Sequence, residues 1–145
     1  MTSKPTDPSS TADPSRGSGG GAPSHHEPRD PAALALRMED LTLWVIEHAA
    51  KFPRAHKFTV GDRLVETCLD VTTILVEATY LPRGRAKLQS LHRASRSLTR
   101  ARVLVRLAQR LELLSARQRS HFADQSDELG RMLGGWTRAL RGARA

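Results

Sequence analysis

The chain of 145 residues carries a formal net charge of +8 and a single cysteine, Cys68. Its length fits one domain with a modest core, and no run approaches the ~18 consecutive apolar residues of a membrane span. One cysteine excludes an intrachain disulfide and a thiolate metal cluster, and the cytoplasm is the expected location. The excess of positive charge indicates a polyanionic partner.

Residues 1–31 are rich in Pro, Ser, Gly and Thr and nearly lack large apolar side chains. Such a segment cannot bury enough apolar surface to offset the entropy of ordering, so it is predicted to be a disordered tail. It also lacks the apolar run of a secretory signal peptide. His25 and His26 have no further ligands beside them, and we interpret them as solvated side chains rather than a metal site.

Two amphipathic helices are predicted to follow the tail. Apolar residues at three- and four-residue steps place the first helix over residues 32–51. The second is predicted to run from an N-terminal cap at Thr59, with Asp62 in a capping-box position, to Tyr80. Cys68 lies in its apolar stripe, so it is interpreted as a core residue rather than a nucleophile.

The third and fourth predicted helices are longer. The third covers residues 84–113, with an apolar face on one side and arginine over the other. Ser115 and Gln118 form a capping box that starts the fourth, and residues 142–145 are left as a short basic tail. Short connections and the absence of strand-like alternation predict an all-α fold, an antiparallel up-and-down four-helix bundle over residues 32–141.

Positive charge is concentrated in one part of the chain. From Arg83 to Arg119 there are eleven lysine or arginine residues and one acid, Glu112. A solvated helix face ordinarily mixes both signs, so this run predicts an anion-binding surface. Sequence-independent contact with a phosphate backbone is the expected mode. A basic amphipathic helix can instead bind an anionic membrane surface, but the apolar side of this helix is needed to close the bundle.

The sequence offers little that resembles an active site. A metal centre in a bundle core would have to use carboxylates such as Glu47, Glu66, Asp70 and Glu77, but the Glu-x-x-His motif of di-metal bundles is absent. Helical spacing explains Glu66 and Asp70 more simply as members of surface ion pairs. We therefore expect no enzymatic activity, no cofactor and no metal.

The final segment, DELGRMLGGWTRALRGARA, has glycines inside a helical pattern. Each costs roughly 1 kcal/mol relative to alanine. Gly130 and Gly134 are four residues apart and would open a notch where another backbone approaches closely; Gly135 widens it and Trp136 lies beside it. These four residues are predicted to serve helix packing or assembly. The alternative is that glycine is tolerated near a fraying helix end.

Four segments together resemble the accessory variability determinant (Avd) proteins of diversity-generating retroelements. They are KFPRAHKFTVGDRL (51–64), LVEATY (75–80), LVRLAQRLELLSARQ (104–118) and ELGRMLGGW (128–136). The resemblance covers residues 32–140. This family is similar to a wider set of small four-helix-bundle proteins, some of them encoded within ribosomal RNA intervening sequences.

The resemblance implies a ring-like homopentamer that partners the element's reverse transcriptase and its template RNA, or an RNA/DNA hybrid, and supports adenine-mutagenic copying. By the same resemblance, the candidates for contact with nucleic acid or polymerase are Arg54, Lys57, Arg63, Arg93, Arg96, Arg100, Arg106 and Arg110. A bundle of the intervening-sequence type, acting as an interaction module without a polymerase partner, is the alternative. A neighbouring reverse transcriptase gene would distinguish the two.

Overall fold

A computed structural model describes residues 31–142 of the chain. The predictions for residues 1–30, including His25 and His26, and for the last three residues lie outside this part. Four long helices make up most of it: α1 (Pro31–Ala49), α2 (Asp62–Tyr80), α3 (Arg85–Arg110) and α4 (Ala116–Gly142). Residues 31–142 contain no strand, and the predicted all-α fold is confirmed.

The four helices form a closed arrangement in chain order. Helix α2 packs against both α1 and α3, α4 packs against α3, and a less extensive contact between α4 and α1 completes the bundle. The connections between α2 and α3 and between α3 and α4 are short, and successive helices run antiparallel. Within the described residues, no helix is both long enough and apolar enough to cross a membrane.

The core is formed where the apolar stripes of the helices meet. Helix α4 contributes its largest side chains, Phe122 and Trp136, each 1% exposed. Helix α3 contributes a narrower stripe in which alanine takes every second place. The α3 stripe consists of Leu91, Ala94, Leu98, Ala101, Val105 and Ala108. Met132 is partly buried and packs against this core.

A polar contact joins α1 to α2 inside the bundle. The Thr42 hydroxyl donates to the Met38 carbonyl at 2.8 Å and lies 2.9 Å from the Thr72 hydroxyl. The Thr72 hydroxyl also lies 3.0 Å from the Cys68 carbonyl, to which it donates. Because buried polar groups cost free energy unless they are hydrogen-bonded, these bonds allow threonine in the apolar stripe.

The start of α2 differs from the prediction. A one-turn helix at Arg54–His56 and a π-helical turn at Lys57–Gly61 lead directly into α2. The Thr59 hydroxyl donates to the His56 carbonyl at 3.2 Å instead of accepting from a backbone N–H, so the predicted cap at Thr59 is wrong. Gly61 is buried, and a Cβ there would lie 3.3 Å from Cδ2 of Phe52.

The remaining helix ends differ from the predictions by a few residues. Helix α1 begins at Pro31, where proline suits the first helical position because its missing N–H needs no partner. Helix α3 ends at Arg110, since the Leu113 N–H bonds back to the Ala108 carbonyl at 2.8 Å. This is a Schellman closure with Glu112 in the left-handed conformation, φ 61°.

The predicted capping box before α4 is confirmed. The Gln118 N–H donates to the Ser115 hydroxyl at 3.1 Å, and the Ser115 N–H donates to the Gln118 side-chain oxygen at 2.8 Å. Two backbone donors that the helix itself cannot satisfy are thereby paired.

We expect Ser115→Ala to lower the free energy of unfolding by about 1 kcal/mol, because it removes the acceptor for the Gln118 N–H. Urea denaturation followed by circular dichroism measures this loss. Ser120→Ala is the control, since Ser120 is exposed within α4. Equal losses in the two variants would contradict a capping role for Ser115.

Candidate nucleic-acid interface

Charge is divided unequally among the four helices. Helix α1 holds one arginine and three carboxylates, and α2 holds one arginine and four carboxylates, so these two helices have a net charge of −5. Helix α3 holds eight lysine or arginine residues and no acid, and α4 holds five arginines and three acids, a net +10. We call α1 with α2 the acidic half and α3 with α4 the basic half.

The predicted arginines of α3 are all exposed. They are Arg93, Arg96, Arg100, Arg106 and Arg110. All lie outside the apolar stripe that faces the core. The surface of α3 therefore presents guanidinium groups to solvent over most of its length.

Three of these arginines lie on the side of α3 that faces α2. Arg93, Arg96 and Arg100 line a groove of about 510 Å³ whose opposite wall includes Asp70 and Glu77. None of the ion pairs within the described residues joins the two walls. The two carboxylates still offset part of the positive charge on this side of α3.

Arg63 joins the same side of α3 further along the bundle. It lines a groove of about 470 Å³ with Thr67 of α2 and with Thr99 and Arg100 of α3. The structure thus brings Arg63 and Arg100, which are distant in the sequence, to one surface.

Arg54 and Lys57 are exposed on the segment that precedes α2. Neither Arg54 nor Lys57 lines either of these two grooves. Because α2 and α3 are antiparallel, the start of α2 and the end of α3 lie at the same end of the bundle. Arg54 and Lys57 therefore share that end with Arg106 and Arg110.

Arg102 connects α3 to α4. Its Nη2 donates to the Ser126 carbonyl at 2.6 Å, and its Nη1 lies 3.4 Å from a carboxylate oxygen of Asp127. The Nε atom is buried without a hydrogen-bond partner in the described residues. A Cβ at Gly130 would lie only 3.0 Å from Nη2, so glycine makes room for the guanidinium.

A further groove follows the contact between α3 and α4 and encloses about 510 Å³. Its arginines are Arg102, Arg131 and Arg138, none of which was among the predicted contact residues. Arg131 and Arg138 stand out less by charge in the sequence, because Asp124, Asp127 and Glu128 precede them on α4. Ser126 and Gly130 are small and four residues apart, so they lie on one face of α4. This spacing indicates that a side chain of a neighbouring helix can pack there.

The four residues predicted to serve packing or assembly lie in two places. Gly135 and Trp136 are buried in the core. Gly130 and Gly134 line the groove between α3 and α4. A Cβ at Gly134 would lie 3.4 Å from Nη1 of Arg138, and no backbone atom of a neighbouring helix lies within 4 Å of the Cβ position at either glycine. Whether they serve assembly between copies stays a prediction.

A model of the bAvd-like family matches residues 33–140, which is most of the chain and nearly all of the described part. The chain belongs to the bAvd-like family. Comparison of the chain with curated proteins and with solved structures gave no match. The family match covers all four helices of this bAvd-like bundle, including the arginine surface of α3.

Among the described residues outside the arginine surface, Cys68 and Glu128 have shifted pKa values. Cys68 is 0% exposed, and burial raises the pKa of its thiol to about 12, so it is protonated at neutral pH. Within residues 31–142, no three His, Cys, Asp or Glu side chains are grouped to hold a metal ion. Glu128 is a charged surface acid, since the hydrogen bond from Arg131 lowers the pKa of its carboxyl group.

We expect Arg102→Ala to lower the free energy of unfolding by roughly 1 kcal/mol, the lower range for a charged hydrogen bond because the side chain is partly exposed. Urea denaturation at low and high salt measures the loss, which should persist at high salt because the bond to the Ser126 carbonyl is short and direct. Arg106→Ala carries the same charge change at an exposed position of α3 and is the control. A loss no larger than that of the control would show that Arg102 does not connect the helices energetically.

Proposed function

We propose that this bAvd-like protein is a non-enzymatic accessory subunit of a diversity-generating retroelement, binding the element's reverse transcriptase and template RNA to support mutagenic reverse transcription. Family membership supports the accessory role. The observation that carries the RNA part is α3, with eight lysine or arginine residues, no acid, and an apolar stripe that fixes which side faces solvent.

RNA binds through its phosphates in this proposal. Guanidinium groups pair with phosphate oxygens in a bidentate manner, and the resulting attraction is largely independent of base sequence. Stacking of bases on aromatic side chains contributes less, because Trp136 is buried and the exposed aromatic side chains Phe58 and Tyr80 lie apart, one just before α2 and the other at its C-terminal end. Mutagenic copying produces a product whose sequence differs from that of the template. An accessory subunit that binds RNA of any sequence suits such copying.

The division of charge suggests how two partners bind at once. RNA is held on the basic half, where repulsion from carboxylates is weakest. The reverse transcriptase binds in part through the exposed cations at the end of the bundle, Arg54 and Lys57 together with Arg106 and Arg110. These groups lie beside the RNA surface, so the protein would hold template and polymerase next to each other.

The acidic half carries an exposed apolar patch, which we define as Leu36, Leu43 and Ile46 of α1 with Leu69 of α2. The three α1 residues follow one stripe, and Leu69 lies on the same side of α2 as Thr72, which contacts α1. They are between 38% and 59% exposed. We propose that this patch, with its acidic surroundings, contacts the basic half of the next copy. A contact between two different surfaces forms a ring when the rotation between copies closes, and a homopentamer requires a contact of this kind.

The RNA prediction uses Arg96→Glu with Arg100→Glu. Binding of a fluorescently labelled template RNA, and co-purification with the reverse transcriptase, should fall by at least tenfold because four units of charge change on the centre of α3. The control, Arg37→Glu with Lys51→Glu, makes the same change of net charge in and just after α1, and it also removes the 3.9 Å ion pair between Arg37 and Glu128. Circular dichroism checks that both variants remain folded.

Wild-type affinity for RNA should decrease steeply with salt, since binding releases counterions from the phosphates. Unchanged RNA and polymerase binding in the α3 double variant would remove this surface from the proposal. Normal RNA binding without capture of the polymerase would favour the alternative of an interaction module with no polymerase partner.

The assembly prediction uses Leu43→Glu, which places a charge in the exposed apolar patch. We expect a shift from pentamer to monomer in sedimentation velocity with the helical signal unchanged. Leu111→Glu is the control, because Leu111 is 45% exposed but follows α3 at one end of the bundle. A pentamer that persists in Leu43→Glu would exclude the patch as the ring contact.

A further inference from the structure

The groove between α3 and α4 has a low floor and a basic rim. Apart from the arginines and Asp127, the groove is lined by Ser95, Leu98 and Thr99 on α3 and by Gly130 and Gly134 on α4. We call these residues the floor, and all but Leu98 are small. Arg102, Arg131 and Arg138 also line it. Such a groove lets a ligand approach the helix backbone while long cationic side chains reach it from the sides.

The rim keeps positive charge after the ion pairs of the described residues are counted. Arg102 pairs with Asp127 and Arg131 pairs with Glu128. Arg138 has no carboxylate partner within the part of the chain that the structure describes. Its Nη1 is the nearest atom to the open side of Gly134, so its charge lies over the groove floor.

Packing within the bundle does not explain Gly134. A glycine inside a helix costs roughly 1 kcal/mol relative to alanine. At Gly61 that cost is offset by close contact with Phe52, and at Gly130 by the Arg102 guanidinium. At Gly134 a Cβ would meet only the flexible end of Arg138. What glycine provides there is the depth of the groove.

The dimensions of the groove select a kind of ligand. From Asp127 to Arg138 it follows α4 for roughly 16 Å at 1.5 Å per residue. Neighbouring helix axes lie about 8–10 Å apart, so the groove admits one extended strand but not a duplex. A strand lying along this length would place more than one phosphate beside the arginines of the groove.

We propose that the groove between α3 and α4 binds the phosphodiester backbone of a single-stranded nucleic acid, and that Gly134 keeps its floor low enough for that backbone to enter. This inference rests on the proposed function and extends it. It assigns a binding path to Arg131 and Arg138 on α4, in addition to the arginines predicted on α3.

The charge in the groove is tested with Arg138→Gln. A labelled single-stranded RNA of mixed sequence is titrated at several salt concentrations. We expect affinity to fall several-fold and the slope of log affinity against log salt to decrease by about one, the loss of one phosphate contact. Arg117→Gln is the control, because Arg117 is exposed on the same helix outside the groove. Equal effects of the two variants would overturn the proposal.

The depth of the groove is tested with Gly134→Leu. Leucine fills the floor and favours the helix, so we expect several-fold weaker RNA binding with an unchanged or higher melting temperature and an unchanged oligomeric mass. Gly142→Leu, at the end of α4 with open space around it, is the control. RNA binding equal to wild type would overturn the proposal, and so would loss of stability or a changed oligomeric mass, which would assign the glycine to packing or assembly.

The same titrations separate this inference from the proposed function. A wild-type protein with no salt-dependent RNA binding would contradict the proposed function itself. RNA binding that is lost in the Arg96→Glu and Arg100→Glu variant but kept in Arg138→Gln and Gly134→Leu would overturn only the groove. Groove variants that keep RNA but lose the reverse transcriptase would also overturn it, because the groove would then contact protein. A duplex RNA that binds equally well, and is equally weakened by Arg138→Gln, would exclude the preference for a single strand.

Discussion

Helix α3 joins the bundle through a narrow apolar stripe. Eight cations without a single acid repel one another along this helix, since residues three and four apart are neighbours. Half of the stripe is alanine, which buries little apolar area. Helix α3 is therefore stable only when neighbouring helices cover it. Helix α4 supplies the bulk that α3 lacks, through Phe122 and Trp136, and the alanines let the neighbouring helices come close.

The same narrowness makes the basic surface large. A stripe of six residues leaves most of the circumference of α3 free for guanidinium groups. The carboxylates of α2, Asp70 and Glu77, lie across from Arg93, Arg96 and Arg100 and reduce the repulsion on that side without forming close ion pairs. On the other side, α4 adds arginines of its own. The bundle therefore offsets part of the charge of α3 on one side and extends it on the other, and this produces its acidic and basic halves.

The four helices were predictable from the sequence because a 3.6-residue apolar period has one simple solution, burial of one face of a helix. Helix ends were less predictable where two local interactions compete. At Thr59 the pattern favours a cap, but the hydroxyl bonds to the His56 carbonyl and the chain is already helical. At Ser115 both halves of the capping box are present and nothing competes, so the prediction is correct.

The exposure of the arginines was also predictable, because it follows from the position of the apolar stripe. Which helix each arginine faces was not. Arg100 and Arg102 are two residues apart, about 200° around α3, so they lie on opposite sides of the helix. Whether a given side meets α2 or α4 depends on the handedness of the bundle, which an apolar period does not encode. Arg100 consequently lies in a groove with Arg63, whereas Arg102 donates to the Ser126 carbonyl of α4.

Two kinds of arginine therefore follow from one run of positive charge. Arg102 is held by a carbonyl and a carboxylate, and its guanidinium fits where Gly130 has no side chain. Its charge is partly satisfied within the protein and it stabilises the contact between α3 and α4. Arg96 and its exposed neighbours have no such partner in the described residues, so their charge is left for an external anion. A guanidinium fixed in place at the edge of a groove loses little entropy when it also meets a ligand, whereas a free one loses more but contributes its full charge. The basic half therefore has an arginine held in a fixed position, Arg102, surrounded by exposed arginines that add positive charge.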